Sequence, residues 1–206
     1  MSTVLEMKSE VKRIFGDESG TFLEDADLIR WFNAAQLDIC RQTDALVADT
    51  TGTTTAAQNY VTAPTDVLAY IKVTLALAPL NQYPLESAAF SSDINVDVPR
   101  ETYGVWRSRI YFNNAQCISA LAYGVLYTRR PVVLTIDADI PEIPVAYHED
   151  IVRYALARAK EMEEDYGAAD RFMADYMRRV SGTRSDTNLD NRQINNAVRC
   201  LDDWDY

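Results

Sequence analysis

A chain of 206 residues, 48% hydrophobic and 10% aromatic, is long enough for one domain with a real core and marginal for two. Its net charge of −11 argues against a simple nucleic-acid binder, because phosphate contacts need clustered Lys and Arg. Only Lys8, Lys12, Lys72 and Lys160 are lysines among the 20 basic residues, and an acidic surface of this kind is still compatible with a channel through which DNA slides without sticking.

The first helix is expected from about Thr3 to Phe15. Thr3-x-x-Glu6 fits a capping box, Val4, Met7, Val11 and Ile14 form a stripe, and Gly16 supplies the stop. This start alternates charge with apolar residues and does not read as a signal peptide. After the loop GDESGTF, a second helix runs from Asp25 to about Asp44, with Leu28, Phe32, Ala35 and Ile39 on one face and Trp31 beside it. Asp25 and Asp27 lie in its first turn, where the helix dipole favours negative charge.

From about Leu46 to Leu134 the pattern turns β-rich. Thr50, Thr51, Thr53, Thr54 and Thr55 flank Gly52, and YVTAP (60–64) and DVLAYIKVTLAL (66–77) read as strands around a turn at Pro64. Residues 86–101 are polar and irregular, as in a long loop with a short helix at its start. TYGVW (102–106) and RIYF (109–112) read as strands joined by a tight hairpin at 107–109, and ISALAYGVLYT (118–128) alternates with period two.

The turn IPEIP (140–144) then opens a helix expected to be roughly 35 residues long. Ile151, Ala155, Ala159, Met162, Tyr166, Ala169, Met173, Tyr176 and Val180 recur at steps of three and four. Residues 181–206 follow as a polar tail with no period. The expected class is α+β: a helical bundle of two N-terminal helices plus one long C-terminal helix, interrupted by a β-rich insertion, with an extended C-terminal tail. The expected segments are 1–45, the first part of the helical layer; 46–140, the insertion; 141–180, the long helix; and 181–206, the tail.

The residues offer little catalytic chemistry. His148 is the only histidine, so a zinc His pair is excluded and a Ser-His-Asp triad could use only this residue. At the start of a helix it reads as a capping or surface residue, with a general base as the sharper alternative. Asp137, Asp139 and Glu142 in DADIPE stand in calcium-like order but lack the glycine and distant glutamate of a calcium loop. Glu161, Glu164 and Asp165 read as one solvated helical face, or as an acidic contact to a neighbouring subunit. Cys40, Cys117 and Cys200 are odd in number and far apart, which argues against a disulfide framework. Phosphate-binding glycine motifs are missing, and no window is long and apolar enough for a membrane span or anchor. The chain is therefore read as a non-enzyme with no cofactor and no metal. Its last residues, CLDDWDY, place Leu201, Trp204 and Tyr206 among aspartates, in a form suited to ordering on a partner with a basic groove.

In order along the chain, TFLEDADLIRWFNAAQLDICRQT (21–43), YVTAPTDVLAYIKV (60–73), LYTRRPVVLTIDADIPEIPVAYHEDIVRYALARAKEMEED (126–165) and AADRFMADYMRRV (168–180) resemble the head-to-tail adaptor, or connector, proteins of tailed bacteriophages. The resemblance implies a structural virion protein of the neck, assembled in the host cytoplasm. It implies a twelve-copy ring under the portal protein that extends the DNA channel and carries a tail or nozzle protein. Genomic DNA would pass without specific binding. The C-terminal segment would secure the ring, with Arg192, Arg199, Leu201, Trp204 and Tyr206 as portal-binding candidates. A stopper-type neck component, and less readily a small-ligand enzyme using His148 as base, are the competing readings.

Overall fold

The computed structural model describes residues 2–83 and 98–182. The chain forms two compact units, one from residues 1–45 with 131–206 and one from 46–130. The fold is mixed α+β, with four helices and a curled seven-stranded sheet among the described residues.

The helical unit begins with α1 (Val4–Phe15). Its capping box forms: the Glu6 N–H donates to Thr3 Oγ1 at 3.2 Å, and the Thr3 N–H donates to Glu6 Oε2 at 3.0 Å. Gly16 closes the helix in the left-handed region, at φ 93°. Val4, Met7 and Val11 are buried as the stripe requires, whereas Ile14 is exposed. Before α2 (Asp25–Thr43), the Asp17 carboxylate accepts the N–H groups of Thr21, Phe22 and Leu23. These bonds hold its carboxyl below the usual range, although partial desolvation opposes them. Leu28, Phe32, Ala35 and Ile39 of α2 are fully buried.

The expected single long helix is two helices. α3 (His148–Met162) ends at its cap Glu163, and Glu164 takes a left-handed φ of 65°. Asp165 then caps α4 (166–182), accepting the Ala168 N–H at 3.1 Å. The apolar period survives the break because Ile151, Ala155 and Ala159 of α3 and Ala169, Tyr176 and Val180 of α4 are all buried. Tyr166, at the bend, is exposed. The three acidic residues Glu161, Glu164 and Asp165 accordingly share no helical face.

The sheet unit contains β1 (Val47–Thr53), β2 (Tyr60–Thr62), β3 (Val67–Leu75), β4 (Ala78–Gln82), β5 (Thr102–Trp106), β6 (Arg109–Tyr111) and β7 (Ala122–Arg129). Their order is β1-β7-β3-β4-β5-β6-β2, antiparallel throughout except for β4 beside β5. The run 66–77 is not one strand: Ala76 and Leu77, at φ 49° and 67°, make a two-residue turn from β3 into β4. Alternate residues of the strands feed a core of Val61, Val73, Leu75, Leu80, Tyr103, Ile110, Phe112, Val125 and Tyr127. Gly52 lies under Tyr123, where a Cβ would sit 2.7 Å from the phenol oxygen.

Candidate functional site

His148 is 4% exposed, and both its ring nitrogens are engaged. The Ser2 N–H donates to Nδ1 at 3.3 Å, so the proton sits on Nε2, which donates to the Ile143 carbonyl at 3.1 Å. Burial lowers its pKa and keeps the ring neutral. The ring pins the start of the chain to the start of α3 and presents no nitrogen to a substrate.

The DADIPE carboxylates diverge. Asp137 receives Lys8 Nζ at 2.7 Å, and Asp139 accepts the N–H groups of Thr135 and Ile136 at 2.6 and 2.9 Å. Glu142 accepts the Val132 N–H at 2.9 Å. No group of three or more His, Cys, Asp or Glu side chains arranged to hold a metal occurs among the described residues. The carboxylates of the α3 end have local partners too: Glu161 meets Arg158, and Glu163 meets Lys160.

The seams between helices carry the strongest polar contacts. Asp150 is fully buried and receives Arg179 Nε at 2.7 Å, joining α3 to α4. Burial raises the Asp150 pKa, against the pull of the Arg179 hydrogen bond. Arg153 reaches Glu149 at 2.7 Å and Asp175 at 2.6 Å, and Tyr176 donates to Asp38 at 2.6 Å. Lys8 bridges Asp25 and Asp137 at 3.0 and 2.7 Å. These contacts build the unit and leave its chemistry internal.

Two outward-facing surfaces of this unit carry exposed apolar side chains. Residues 131–144 form a strap without helix or strand, its backbone held by α2 at Val132 and Leu134 and by α1 at Asp137 and Asp139. Gln36 Nε2 donates to the Val132 carbonyl at 2.8 Å, Asn33 Nδ2 donates to the Leu134 carbonyl at 3.0 Å, and the Leu134 N–H donates to Asn33 Oδ1 at 2.8 Å. Leu134 is buried, yet Val132, Val133 and Ile136 are 61%, 64% and 59% exposed. A second surface is a groove of about 550 Å³ between α2 and α3, lined by Arg30, Trp31, Ala34, Tyr154, Arg158, Glu161 and Met162. Arg158 lies over the Tyr154 ring at 5.2 Å, while the Arg30 side chain is 71% exposed.

Sequence periodicity did not single out either surface. The strap has no helical or strand period of its own, and its signal was the run Val132-Val133-Leu134 with no matching strand. The groove is built from residues that a helical stripe places beside the core rather than in it. The tail candidates Arg192, Arg199, Leu201, Trp204 and Tyr206, together with Cys200, lie outside the described residues. Cys40 and Cys117 are buried thiols, and burial pushes the Cys117 thiol up. No described helix is long and apolar enough to cross a membrane.

The family model of the SU10 adaptor protein matches residues 2–199. A comparison with curated proteins gives no match. A match over nearly the whole chain covers both units, with the helical seams and the sheet alike. The chain therefore belongs to the SU10 adaptor protein family, whose role is that of a structural adaptor at the head-to-tail junction of the phage virion.

Proposed function

We propose that this chain builds a ring of twelve copies on the portal protein at the capsid vertex, extends the DNA channel, and carries the tail or nozzle protein. The observation behind this reading is the family match over residues 2–199. The net charge of −11 supports it, since a wall that attracted phosphate would slow the passage of DNA. So do the exposed strap and groove of the helical unit, because apolar surfaces held in fixed backbone suit association with another protein.

The segment 183–206 is the proposed grip on the portal, with Arg192, Arg199, Leu201, Trp204 and Tyr206 as its contacts. Trp and Tyr are favoured interface anchors. Mixed with the portal protein of its own phage, the purified chain should form stoichiometric rings visible by electron microscopy. A chain that never co-sediments with that portal overturns the proposal. Removal of residues 183–206 should leave far-ultraviolet circular dichroism of the helices intact and sharply reduce portal attachment. Undiminished attachment assigns the grip to another part of the chain.

A further inference from the structure

The bend between α3 and α4 places an ordinary residue where glycine is usual. The Asp165 N–H donates to the Lys160 carbonyl at 3.0 Å and the Glu164 N–H to the Glu161 carbonyl at 3.1 Å, the paired bonds of a Schellman cap. Glu164 holds the left-handed position of that cap at φ 65°, while Glu163 before it keeps right-handed angles. Ala159, Met162, Tyr166 and Ala169 keep the helical period across the bend, and no proline lies between 148 and 182. Gly167 already belongs to α4, so its low helix propensity weighs equally on a bent and a straight form.

The seat of α4 is made of side chains that every copy presents alike. On α3, Asp150 and Glu149 receive Arg179 at 2.7 and 2.6 Å, and Arg153 reaches Asp175 at 2.6 Å. On α2, Asp38 accepts the Tyr176 hydroxyl at 2.6 Å. Straightening at 163–165 gives one helix over 148–182, about 50 Å long, which carries α4 clear of its own copy. Seated on another copy, α4 re-forms each of these contacts and buries Ala169, Tyr176 and Val180 again, so they cancel between the two arrangements. The hinge then tips the balance: the bent form keeps Glu164 left-handed, whereas the straight form relieves it and adds helical hydrogen bonds. The freedom lost on association opposes the exchange in free chains, and much less in copies already gathered on a common platform.

We infer that α4 is exchanged between copies in the ring. There α3 and α4 of each chain form one straight helix, and α4 takes on the next copy the seat that it fills on its own copy in the free chain. Passed in one direction, the exchange is a head-to-tail contact, which closes into a ring when the rotation per copy allows. It rests on the ring proposed for this chain and supplies the contact between its subunits.

Gln42 and Met177 report which seat is filled, since Gln42 Nε2 lies 3.7 Å from Met177 Sδ between α2 and α4. In a Cys200→Ser background, a chain carrying Gln42→Cys and Met177→Cys is treated with a short bismaleimide, free in solution and assembled on the portal protein of its own phage. Cys40 and Cys117 are buried, which leaves the reagent to the new pair. The free chain should link within itself and run as a monomer on a denaturing gel, and portal-bound rings should give a ladder of multimers. Glu164→Gly relieves the bent form and weakens a straight helix, so it should lower both ladder and ring yield at least about tenfold. Glu164→Ala favours the straight helix and should preserve both. Normal rings whose pairs link only within a copy overturn the exchange and leave the ring reading standing. A ladder undiminished by Glu164→Gly sets helices of neighbouring copies side by side without exchange and likewise overturns it. If the cysteine pair itself prevents rings, an undiminished ring yield from Glu164→Gly alone overturns the exchange. Absence of rings from the parent chain removes both.

Discussion

The helical unit and the sheet unit solve the same problem, closing a core, with different polar groups. Where helices meet, charged side chains span the seams: Lys8 between Asp25 and Asp137, Arg179 on Asp150, Arg153 on Asp175. In the sheet unit short side chains bond the backbone instead. The Leu121 N–H donates to Thr54 Oγ1 at 2.9 Å, and Asn113 donates to the Val98 carbonyl at 2.5 Å. Aromatic contacts fill the remainder, with Tyr70 edge-on to Tyr103 at 6.1 Å and Phe112 tilted on Tyr123 at 6.5 Å. The cause lies in the backbone. A helix satisfies its own amides and meets its neighbour only through side chains, so long charged groups suit the seam. A strand meets its neighbour through the amides themselves, which leaves the side chains to pack. The helical unit should therefore respond to charge and the sheet unit to volume.

Phe112→Ala tests the volume side and carries the largest expected effect. The ring is fully buried, so its removal should cost about 4 kcal/mol through lost transfer energy and the cavity left behind. Trp106 lies in this unit and Trp31 in the other, so in a Trp204→Phe background each fluorescence signal reports its own unit during urea unfolding. The loss should be the same at low and high salt; a strong salt dependence would break the contrast.

Arg179→Ala tests the charge side. It leaves the fully buried Asp150 without its cation, and the partial exposure of Arg179 limits the expected cost to about 2 kcal/mol. Arg179→Lys should restore only part of this, because an ammonium cannot reproduce the fork that meets Asp150 through Nε and Glu149 through a terminal nitrogen. Full recovery with lysine would mean that net charge alone matters at this seam.

Acid should widen the difference between the units. Hydrogen bonds from Lys12 and Lys8 hold Asp25 below the usual carboxylate range; Arg153 does so for Glu149 and Arg178 for Asp175. Unfolded carboxylates take up protons near pH 4, before these native ones do. The stability they contribute is therefore present above that pH and lost as pH falls through their native pKa values. Asp150 acts in the opposite sense, since its raised pKa lets the folded state bind a proton first. Asp17 and Asp139 are held low as well, so five carboxylates of this unit lose their contribution in acid and one acts against them. In the sheet unit, burial raises Tyr70, Tyr103 and Tyr127, so their contribution is lost only as pH rises beyond about 10. Titration from pH 6 to pH 3 should disturb the Trp31 signal before that of Trp106. The reverse order would contradict the assignment of charge to the helical seams.

Much of the fold could be read in the residues because its signals are local. The box at Thr3 and Glu6, the stop at Gly16, the span of α2, the strand Thr102–Trp106 and the turn after it all follow from capping, period and alternation. Two features did not show, and they share one cause. The break between α3 and α4 and the β3–β4 turn are both made by non-glycine residues in the left-handed region: Glu164 in one, Ala76 and Leu77 in the other. No Gly, Asn or Pro stands at these positions to interrupt the apolar pattern, whereas the Arg107 turn, also left-handed, is flanked by two alternating strand runs. The candidate surfaces escaped for a related reason. Periodicity marks what a helix or strand buries, whereas the strap is held by side chains of α2 far away in sequence, Asn33 and Gln36.

The smallest expected effect is the one that distinguishes these two readings by sign. A left-handed conformation costs a non-glycine residue about 1 kcal/mol or more, and glycine adopts it freely. Glu164→Gly and Leu77→Gly should each therefore stabilise their own unit by about 1 kcal/mol, less the extra chain entropy glycine brings to the unfolded state. Leu77 is 91% exposed, so its side chain contributes little burial to lose. If α3 instead ran unbroken through residue 164, as its apolar period suggests, glycine in that helix interior would destabilise by about 1 kcal/mol. Likewise, a strand continuing through residue 77 would be weakened by glycine. The direction of the shift in the urea midpoint at each position thus decides between a turn built from ordinary residues and a continuous element, independently in each unit.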